Sequence, residues 1–370
     1  MSNAPVQTRA ARRHGSFPIG RIAGIEIRVH WSFFILVALF VLASTAPEGL
    51  GIASSLVWLV VIFGCVLLHE LAHCLVGRRR GAVVHEIELL PIGGVSKLER
   101  LPEEPRDEFA MAIAGPLASV AIAGVAGLVA TLALVPLLPF TMYNGPLLAR
   151  TFWFNLVIAA FNLLPAFPLD GGRVFRALLE RRHDLLTATR IAVRVGHGVA
   201  VALVVVGLFF NLWFVIIGVF VYMGATMEEA ATVVHVGLRN RRADQLMLLD
   251  PVIVEAGTPA VELQALLQRE HQRVFPVVEH GRYVGLLDDL RIRRAAPSAR
   301  ADDLAVRELL MLDPTDGVED RVSDLVGTPT RALAVGSSDA IVGLLRVEDI
   351  EHLLRDEAQH RSAPSPKAAG

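Results

Sequence analysis

Six long apolar segments constrain the fold of this 370-residue chain more than any other feature of its sequence. A helix needs about 20 mostly apolar residues to cross a bilayer. Segments of this kind are residues 28–46, 55–77, 108–135, 149–168, 191–210 and 212–228. The sequence therefore predicts an α-helical polytopic membrane domain with six transmembrane helices over residues 27–229, surrounded by the lipid bilayer.

Charge is distributed unevenly along the chain. Charged residues make up 19% of the total, below the quarter that soluble domains usually contain. Arg, Asp and Glu are nevertheless frequent in residues 240–360, which predicts a soluble domain after the membrane domain. The net charge of −2 gives no basic excess, so nucleic acid is not an expected partner. Cys65 and Cys74 are too far apart on one helix to form a disulfide.

The loops between the apolar segments differ in their content of Lys and Arg. Residues 78–107 contain six such residues and residues 169–190 contain five, whereas residues 47–54 and 136–148 contain none. Lys and Arg are enriched in the cytoplasmic loops of membrane proteins. We therefore expect the N-terminal segment, residues 1–26, and the C-terminal half to lie on the cytoplasmic side.

The second apolar segment contains His-Glu-Leu-Ala-His at residues 69–73. Two histidines four residues apart lie on one face of a helix, so His69 and His73 can bind the same zinc ion. Glu70 lies beside them and can accept a proton from water that the metal activates. The alternative is a hydrogen-bonded packing cluster. The cost of ionisable groups at mid-membrane disfavours it, because such groups normally mark function.

A third protein ligand is expected, because catalytic zinc sites use three protein ligands and keep one position open. The candidate is Asp170, in the Pro- and Gly-containing stretch 162–172 near the end of the fourth apolar segment. Broken backbone at membrane depth is tolerated where it lines a cavity in the protein. The spans that carry His69 and Asp170 run in the same direction. Asp170 could instead be a turn residue at a helix end, and by residue type His30 and His197 are the alternative ligands.

These motifs resemble those of the site-2 protease family, which are intramembrane zinc metalloproteases and include the sporulation intramembrane protease. The similarity covers residues 20–230. It lies in H-E-x-x-H, in N-x-x-P-x-x-P-L-D-G, in Ala114-Gly115-Pro116 and in Pro91-Ile-Gly-Gly94. It implies hydrolysis of a peptide bond within or near the membrane helix of a single-span protein, in the inner cell membrane, after another protease has trimmed that protein.

The same resemblance implies the roles of the site residues. One Zn²⁺ ion per chain would be held by His69, His73 and Asp170, and Glu70 would be the catalytic base. Asn162 would face the substrate, although it could equally bond backbone that is exposed where the helix breaks.

A helical substrate hides its peptide bonds and must unwind before it is cut. Residues 24–30 and 84–98 alternate in polarity or carry glycines. We expect them to form an edge strand that holds the unwound substrate by strand addition. The alternative is that both segments are ordinary connecting loops.

The soluble half contains a weak repeat. Val284-Gly-Leu-Leu287 recurs as Val342-Gly-Leu-Leu345, and Leu249-Asp-Pro251 recurs as Leu312-Asp-Pro314. The pattern of helices and strands resembles a cytosolic α/β pair of CBS domains. They would span residues 244–296 and 302–357, followed by a disordered tail at 358–370.

The resemblance to CBS domains implies a regulatory module that senses adenine nucleotides. The family usually has Ser or Thr after the last strand and an acidic residue three positions later. Here those positions hold Asp288 with Arg291, and Arg346 with Asp349. Adenine nucleotide binding therefore stays open, beside a structural role or homodimer formation through the pair.

Two functions of other classes use the same residues. In a CBS-gated membrane transporter or channel, the intramembrane His, Glu and Asp would line an ion path. The sequence shows no inverted repeat or paired half-helices to favour it. A membrane zinc enzyme that acts on a lipid or small molecule is disfavoured only by the family resemblance.

Overall fold

The computed structural model describes residues 15–44, 51–90, 93–100, 104–140, 142, 145–307 and 310–362. It divides the chain into two compact units, Met1–Ala230 and Ala231–Gly370. Parts of several predicted features lie outside the described residues: residues up to 14, 45–50, 91–92, 101–103, 141, 143–144, 308–309 and the tail from 363.

Seven helices make up most of the first unit as described. They are α1 (Ser32–Ser44), α2 (Ile52–Arg79), α3 (Pro105–Leu132), α4 (Leu147–Asn162), α5 (Asp170–Leu179), α6 (Leu185–Phe210) and α7 (Leu212–Leu238). Four of them, α2, α3, α6 and α7, are long and apolar enough to cross a membrane, whereas α4 and the apolar part of α1 are shorter. Large apolar side chains such as Leu132, Phe209 and Phe210 are exposed on them, which suits a surface in contact with lipid.

The fourth apolar segment is broken near its end, as its two prolines predict, although its helix ends before the predicted bound. Its helix, α4, stops at Asn162 rather than 168, because Pro165 and Pro168 cannot continue the helical hydrogen-bond ladder. The chain then turns and α5 begins at Asp170. A Cβ on Gly172 would lie 2.7 Å from the carbonyl carbon of Ala166. Only glycine therefore lets α5 pack against this turn.

A four-stranded sheet accompanies these helices. Its strands are β1 (Ser16–Ile22), β2 (Ile25–His30), β3 (Val83–Leu90) and β4 (Gly93–Arg100), in the order β1-β2-β3-β4. Strands β2 and β3 are parallel, and the other two pairs are antiparallel. Buried residues of β2 and β3 pack against Leu71 and Cys74 of α2. The sheet therefore lies against the part of α2 that carries the His-Glu-Leu-Ala-His motif.

The predicted edge strand is only partly right. Residues 25–30 form the interior strand β2, because β1 pairs with one side of it and β3 with the other. The edges of the described sheet are β1 and β4. Of the two predicted segments, only 84–98 therefore contributes an edge, through β4.

Two sheets lie in the described part of the second unit. In the first copy of the repeat, β6 (Val254–Glu255), β7 (Val274–Glu279) and β8 (Arg282–Asp288) form one sheet. The other sheet has the order β5-β11-β10-β9, with β5 (Leu248–Leu249), β9 (Met311–Leu312), β10 (Ala332–Ser337) and β11 (Ala340–Arg346). The helices are α8 (Ala243–Leu246), α9 (Ala260–Arg269), α10 (Asp289–Arg294), α11 (Ala301–Leu304), α12 (Val322–Gly327) and α13 (Val347–Ser362).

The repeat seen in the sequence is also a structural repeat. In each copy an antiparallel hairpin, β7-β8 or β10-β11, has a short parallel strand beside its first strand and is followed by a helix. Val274, Tyr283 and Leu286 of the first copy share one buried cluster with three residues of the second, Ala332, Ala334 and Leu344. The two copies therefore form a single pair.

Candidate metal centre

Helix α2 places His69 and His73 one turn apart on the same face. Their Nε2 atoms are 3.2 Å from each other. His69 is only 5% exposed and His73 is half-buried. The helical spacing alone therefore brings two imidazole nitrogens close enough to bind one ion, away from bulk water.

Hydrogen bonds on the opposite side of each ring fix its orientation. Nδ1 of His73 is 2.7 Å from the carbonyl oxygen of Met111, so it must carry the proton and donate it. Nδ1 of His69 is 2.9 Å from Oγ of Ser119. Both partners belong to α3. With Nδ1 protonated, Nε2 keeps the free lone pair that a metal ligand needs.

Asp170 supplies a carboxylate to the same point from the start of α5. Its Oδ2 atom is 3.2 Å from Nε2 of His69 and 3.2 Å from Nε2 of His73. Together with the 3.2 Å between the two imidazoles, the three atoms form an equilateral triangle. Among the described residues, these three form the group of side chains able to hold a metal ion.

The triangle fits zinc. Ligand atoms about 2 Å from one zinc ion at tetrahedral angles lie about 3.3 Å apart, close to the distances found here. Two histidines with one carboxylate are a donor set of known catalytic zinc sites. The geometry and the chemistry of these donors therefore both suit one Zn²⁺ ion with an open fourth position.

Gly115 of α3 leaves the space that such an ion needs. A Cβ atom at this position would lie 2.6 Å from Nε2 of His69 and would overlap Nε2 of His73. No side chain larger than hydrogen fits beside the ligand atoms, so the centre is bounded by bare helix backbone. Gly115 belongs to the Ala-Gly-Pro motif seen in the sequence.

Glu70 is next to a candidate ligand in the chain and lies against strand β4 of the sheet. It follows His69 directly in α2 and is half-buried. A Cβ on Gly94 of β4 would lie 2.5 Å from Cγ of Glu70 and 3.2 Å from its Cδ. The Glu70 side chain therefore packs against Gly94 at the start of the edge strand β4.

The other predicted residues make different contacts. Asn162 ends α4, and its Nδ2 donates to the carbonyl of Ile158 within the same helix at 3.1 Å. His30 contacts Oγ of Ser32. His197 stacks on Tyr222 and contacts Thr226. Neither histidine belongs to the group that could hold a metal ion in the described chain, so Asp170 is the third candidate ligand there.

Arg176 is a buried residue near the site. It was not predicted from the sequence. It lies in α5, and its side chain is 6% exposed. It forms ion pairs with Glu108 of α3 and, at 2.8 Å, with Glu228 of α7. A signal was present in the sequence, since Glu108 and Glu228 are acidic residues near the ends of apolar segments.

Comparison with known proteins identifies the family. Residues 57–144 and 141–206 match the model of Peptidase family M50, and residues 243–298 match the CBS domain model. Zinc metalloprotease MJ0392 of Methanocaldococcus jannaschii is 31% identical over 306 residues, 81% of this chain and 86% of that protein. Rip3 of Mycobacterium tuberculosis is 32% identical over 372 residues, 92% of this chain and 93% of that protein.

A solved structure is also similar. The site-2 protease from Methanocaldococcus jannaschii is 34% identical, with a TM-score of 0.44, over 58% of this chain and 95% of that chain. The long matches to the two curated proteins cover most of both sequences, including the membrane unit and much of the second unit. The chain therefore belongs to peptidase family M50, the site-2 proteases, and is an intramembrane zinc metalloendopeptidase with a CBS pair.

Proposed function

We propose that His69, His73 and Asp170 hold the single zinc ion of this protease and that Glu70 is its catalytic base. The observation that carries the proposal is the triangle of ligand atoms with sides of 3.2 Å. The substrate is a single-span membrane protein, cut within or near its transmembrane helix. Because ionisable groups at membrane depth are costly, their convergence on one point supports a catalytic role.

The residues divide the chemistry among them. Zinc, when bound, supplies a Lewis acid that polarises the scissile carbonyl and lowers the pKa of water. Glu70 takes the proton from the attacking water and returns it to the leaving amine. Ser119 and Met111 hold the imidazole rings in the required orientation. Gly115 keeps the space beside the ligand atoms free for the reacting carbonyl.

The substrate binds in extended form along β4. This strand has one neighbour, β3, in the described sheet, and its first residues lie against Glu70. An unwound segment must satisfy its N–H and C=O groups, which is costly away from water. Adding it as a strand to β4 meets that need. The added strand would pass beside the base.

The ligand assignment predicts the effect of three substitutions. His69→Ala, His73→Ala and Asp170→Ala should each lose both bound zinc and cleavage, because a site with three protein ligands has none to spare. The measurements are the zinc content of the purified protein and cleavage of a co-expressed single-span substrate.

His197→Ala is the matched control for the ligand variants, because His197 contacts Tyr222 and Thr226 instead of the cluster. It should keep full zinc occupancy. Full occupancy in Asp170→Ala would instead show that another group is the third ligand, and the proposed site would be wrong.

The proposed topology has six spans in the inner cell membrane, with both termini in the cytoplasm. The four long helices and the two shorter apolar ones support this number, and the alternation of basic loops supports the direction. Reporter fusions at residues 50 and 142 should therefore report the outside, and fusions at 100, 182 and 300 the cytoplasm. A fusion at residue 300 that reports the outside would overturn the six-span count.

The CBS pair acts as a dimerising and regulatory module in this proposal. Arg346 binds both carboxylate oxygens of Asp349, with Nη2–Oδ1 and Nε–Oδ2 distances of 2.5 and 3.0 Å. These hydrogen bonds raise the pKa of Arg346 above its usual value, so its guanidinium stays charged. In the first copy Asp288 caps α10 by accepting from the Arg291 backbone N–H and also accepts from Arg291 Nε at 3.2 Å. In the second copy Asp349 is therefore ion-paired with Arg346 and is not available to bind a ribose.

This pairing predicts that millimolar ATP neither releases heat on mixing with the full-length protein nor changes cleavage. Sedimentation should show a dimer whose population rises with protein concentration. Arg346→Ser provides the comparison. It removes the ion pair with Asp349 and places a hydroxyl three residues before this acid, as in the usual family pattern. Tight ATP binding by the unmodified protein, with an altered cleavage rate, would make the pair an energy sensor instead.

A further inference from the structure

Asp170 depends on its helix for its position. It is the first residue of α5, and the residue before it, Leu169, provides no side-chain cap. Helix α5 is only ten residues long, and isolated helices of that length are marginal in water. The orientation of α5, and with it the position of the Asp170 carboxylate, must therefore come from contacts with the surrounding elements.

Arg176 makes three of these contacts with a single side chain. Its guanidinium is ion-paired with Glu108 of α3 and with Glu228 of α7. Its Cζ atom also lies over the ring of Phe167, 5.1 Å from the ring centroid. Phe167 is fully buried in the turn between α4 and α5. One side chain of α5 is therefore tied to two long helices and to the turn before Asp170.

The network also reaches the histidines. Glu108 lies about one turn before Met111 in α3, and the Met111 carbonyl holds the ring of His73 at 2.7 Å. Helix α3 therefore both orients His73 and forms an ion pair with α5. Charges buried to this degree are expensive unless paired in good geometry, so the pairing admits little movement of α5 relative to α3.

We infer that Arg176 is a positioning residue for the metal centre. It holds α5 against α3 and α7 so that Oδ2 of Asp170 stays 3.2 Å from both imidazole nitrogens. The inference rests on the proposed assignment of His69, His73 and Asp170 as zinc ligands. It goes beyond that assignment by naming the group that sets the affinity of the site without touching the ion.

The test measures zinc affinity in the full-length protein, by competition with a chelator. Arg176→Met keeps the length of the side chain but removes its charge and hydrogen bonds. It should weaken zinc binding by about 10- to 100-fold, the usual effect of losing a group that orients a ligand. Arg176→Lys keeps one charge but not the two-sided contact, so it should fall between Arg176→Met and the unmodified protein.

Arg150→Met is the matched control. Arg150 is also a buried arginine, 5% exposed, but it lies in α4 and stacks on Trp58. Its Nε and Nη1 atoms have no hydrogen-bond partner among the described residues. If Arg176 only stabilised the fold, Arg176→Met would lower the melting temperature and leave zinc affinity unchanged, which would overturn the inference. X-ray absorption of the bound zinc adds a second readout, since a displaced Asp170 should remove one oxygen ligand.

Two further variants keep the outcomes distinct. If Arg176→Met does not fold, Glu228→Gln weakens the same network more gently and should still lower zinc affinity, and an unchanged affinity would overturn the inference. Asp170→Ala separates this inference from the proposed function. Zinc lost in Asp170→Ala but tightly held in Arg176→Met would reject the positioning role alone. Zinc tightly held in both would reject the ligand assignment itself.

Discussion

Glu70→Gln is expected to reduce the rate of cleavage by about 10²- to 10⁴-fold, the usual contribution of a general acid–base group. Glutamine has the same shape as glutamate, so it preserves the packing against Gly94 of β4. It cannot accept the proton of the attacking water. Glu70 contributes no atom to the triangle of candidate ligands. The content of bound zinc should therefore stay at one ion per chain.

The measurement combines two quantities on the same preparation, the zinc content and the rate of cleavage of a membrane substrate. Glu229→Gln is the matched control, because Glu229 pairs with Arg190 in a partly exposed contact. It should cut at the rate of the unmodified protein. Turnover near that rate by Glu70→Gln would show that another group accepts the proton. Loss of zinc in Glu70→Gln would show that Glu70 binds the ion.

The closeness of His69 and His73 could be predicted from the sequence because helix geometry determines it. Two histidines four residues apart share a face in any α-helix, so His69 and His73 could be paired without a structure. Asp170 is 101 residues away from His69, and its selection depended on the motif and the direction of its span. The family and the enzymatic activity inferred from these motifs are confirmed by the comparisons.

The groups that orient the ligands could not be predicted in the same way. The partner of His73 is the backbone carbonyl of Met111. Every residue has such a carbonyl whatever its side chain, so the sequence does not single this one out. Ser119 is one of two hydroxyl side chains in this apolar helix, the other being Thr131. Only packing of α3 against α2 selects Ser119 and the Met111 carbonyl, and packing depends on the tertiary structure. The substrate-facing role of Asn162 stays a prediction.

Parts of the fold could likewise be predicted from the sequence, and other parts could not. Long apolar runs indicated the helices, and the repeated Val-Gly-Leu-Leu indicated the two hairpins of the CBS pair. The ends of elements were less predictable. Helix α4 stops at Asn162 and a separate helix begins at Asp170, although the apolar pattern continues to residue 168. Which strand of a sheet lies at its edge is likewise decided by pairing between distant segments, as β2 shows.

Gly115→Ala is expected to abolish zinc binding and cleavage together. The added Cβ would lie 2.6 Å from Nε2 of His69 and would overlap Nε2 of His73. Carbon atoms do not approach nitrogen so closely, so the rings or α3 must move. Either movement breaks the triangle of ligand atoms with Asp170. The measurements are the zinc content, the cleavage rate and the free energy of unfolding.

Gly124→Ala in the same helix is the matched control, because a Cβ there meets nothing within 4 Å. Replacing glycine by alanine inside a helix stabilises it by about 1 kcal/mol, and this gain applies to both variants. Gly124→Ala should therefore keep its zinc and its activity with unchanged or higher stability. Gly115→Ala should lose zinc while remaining folded. Equal zinc content in the two variants would mean that the ligand atoms do not lie against Gly115, and the ion would have to bind elsewhere.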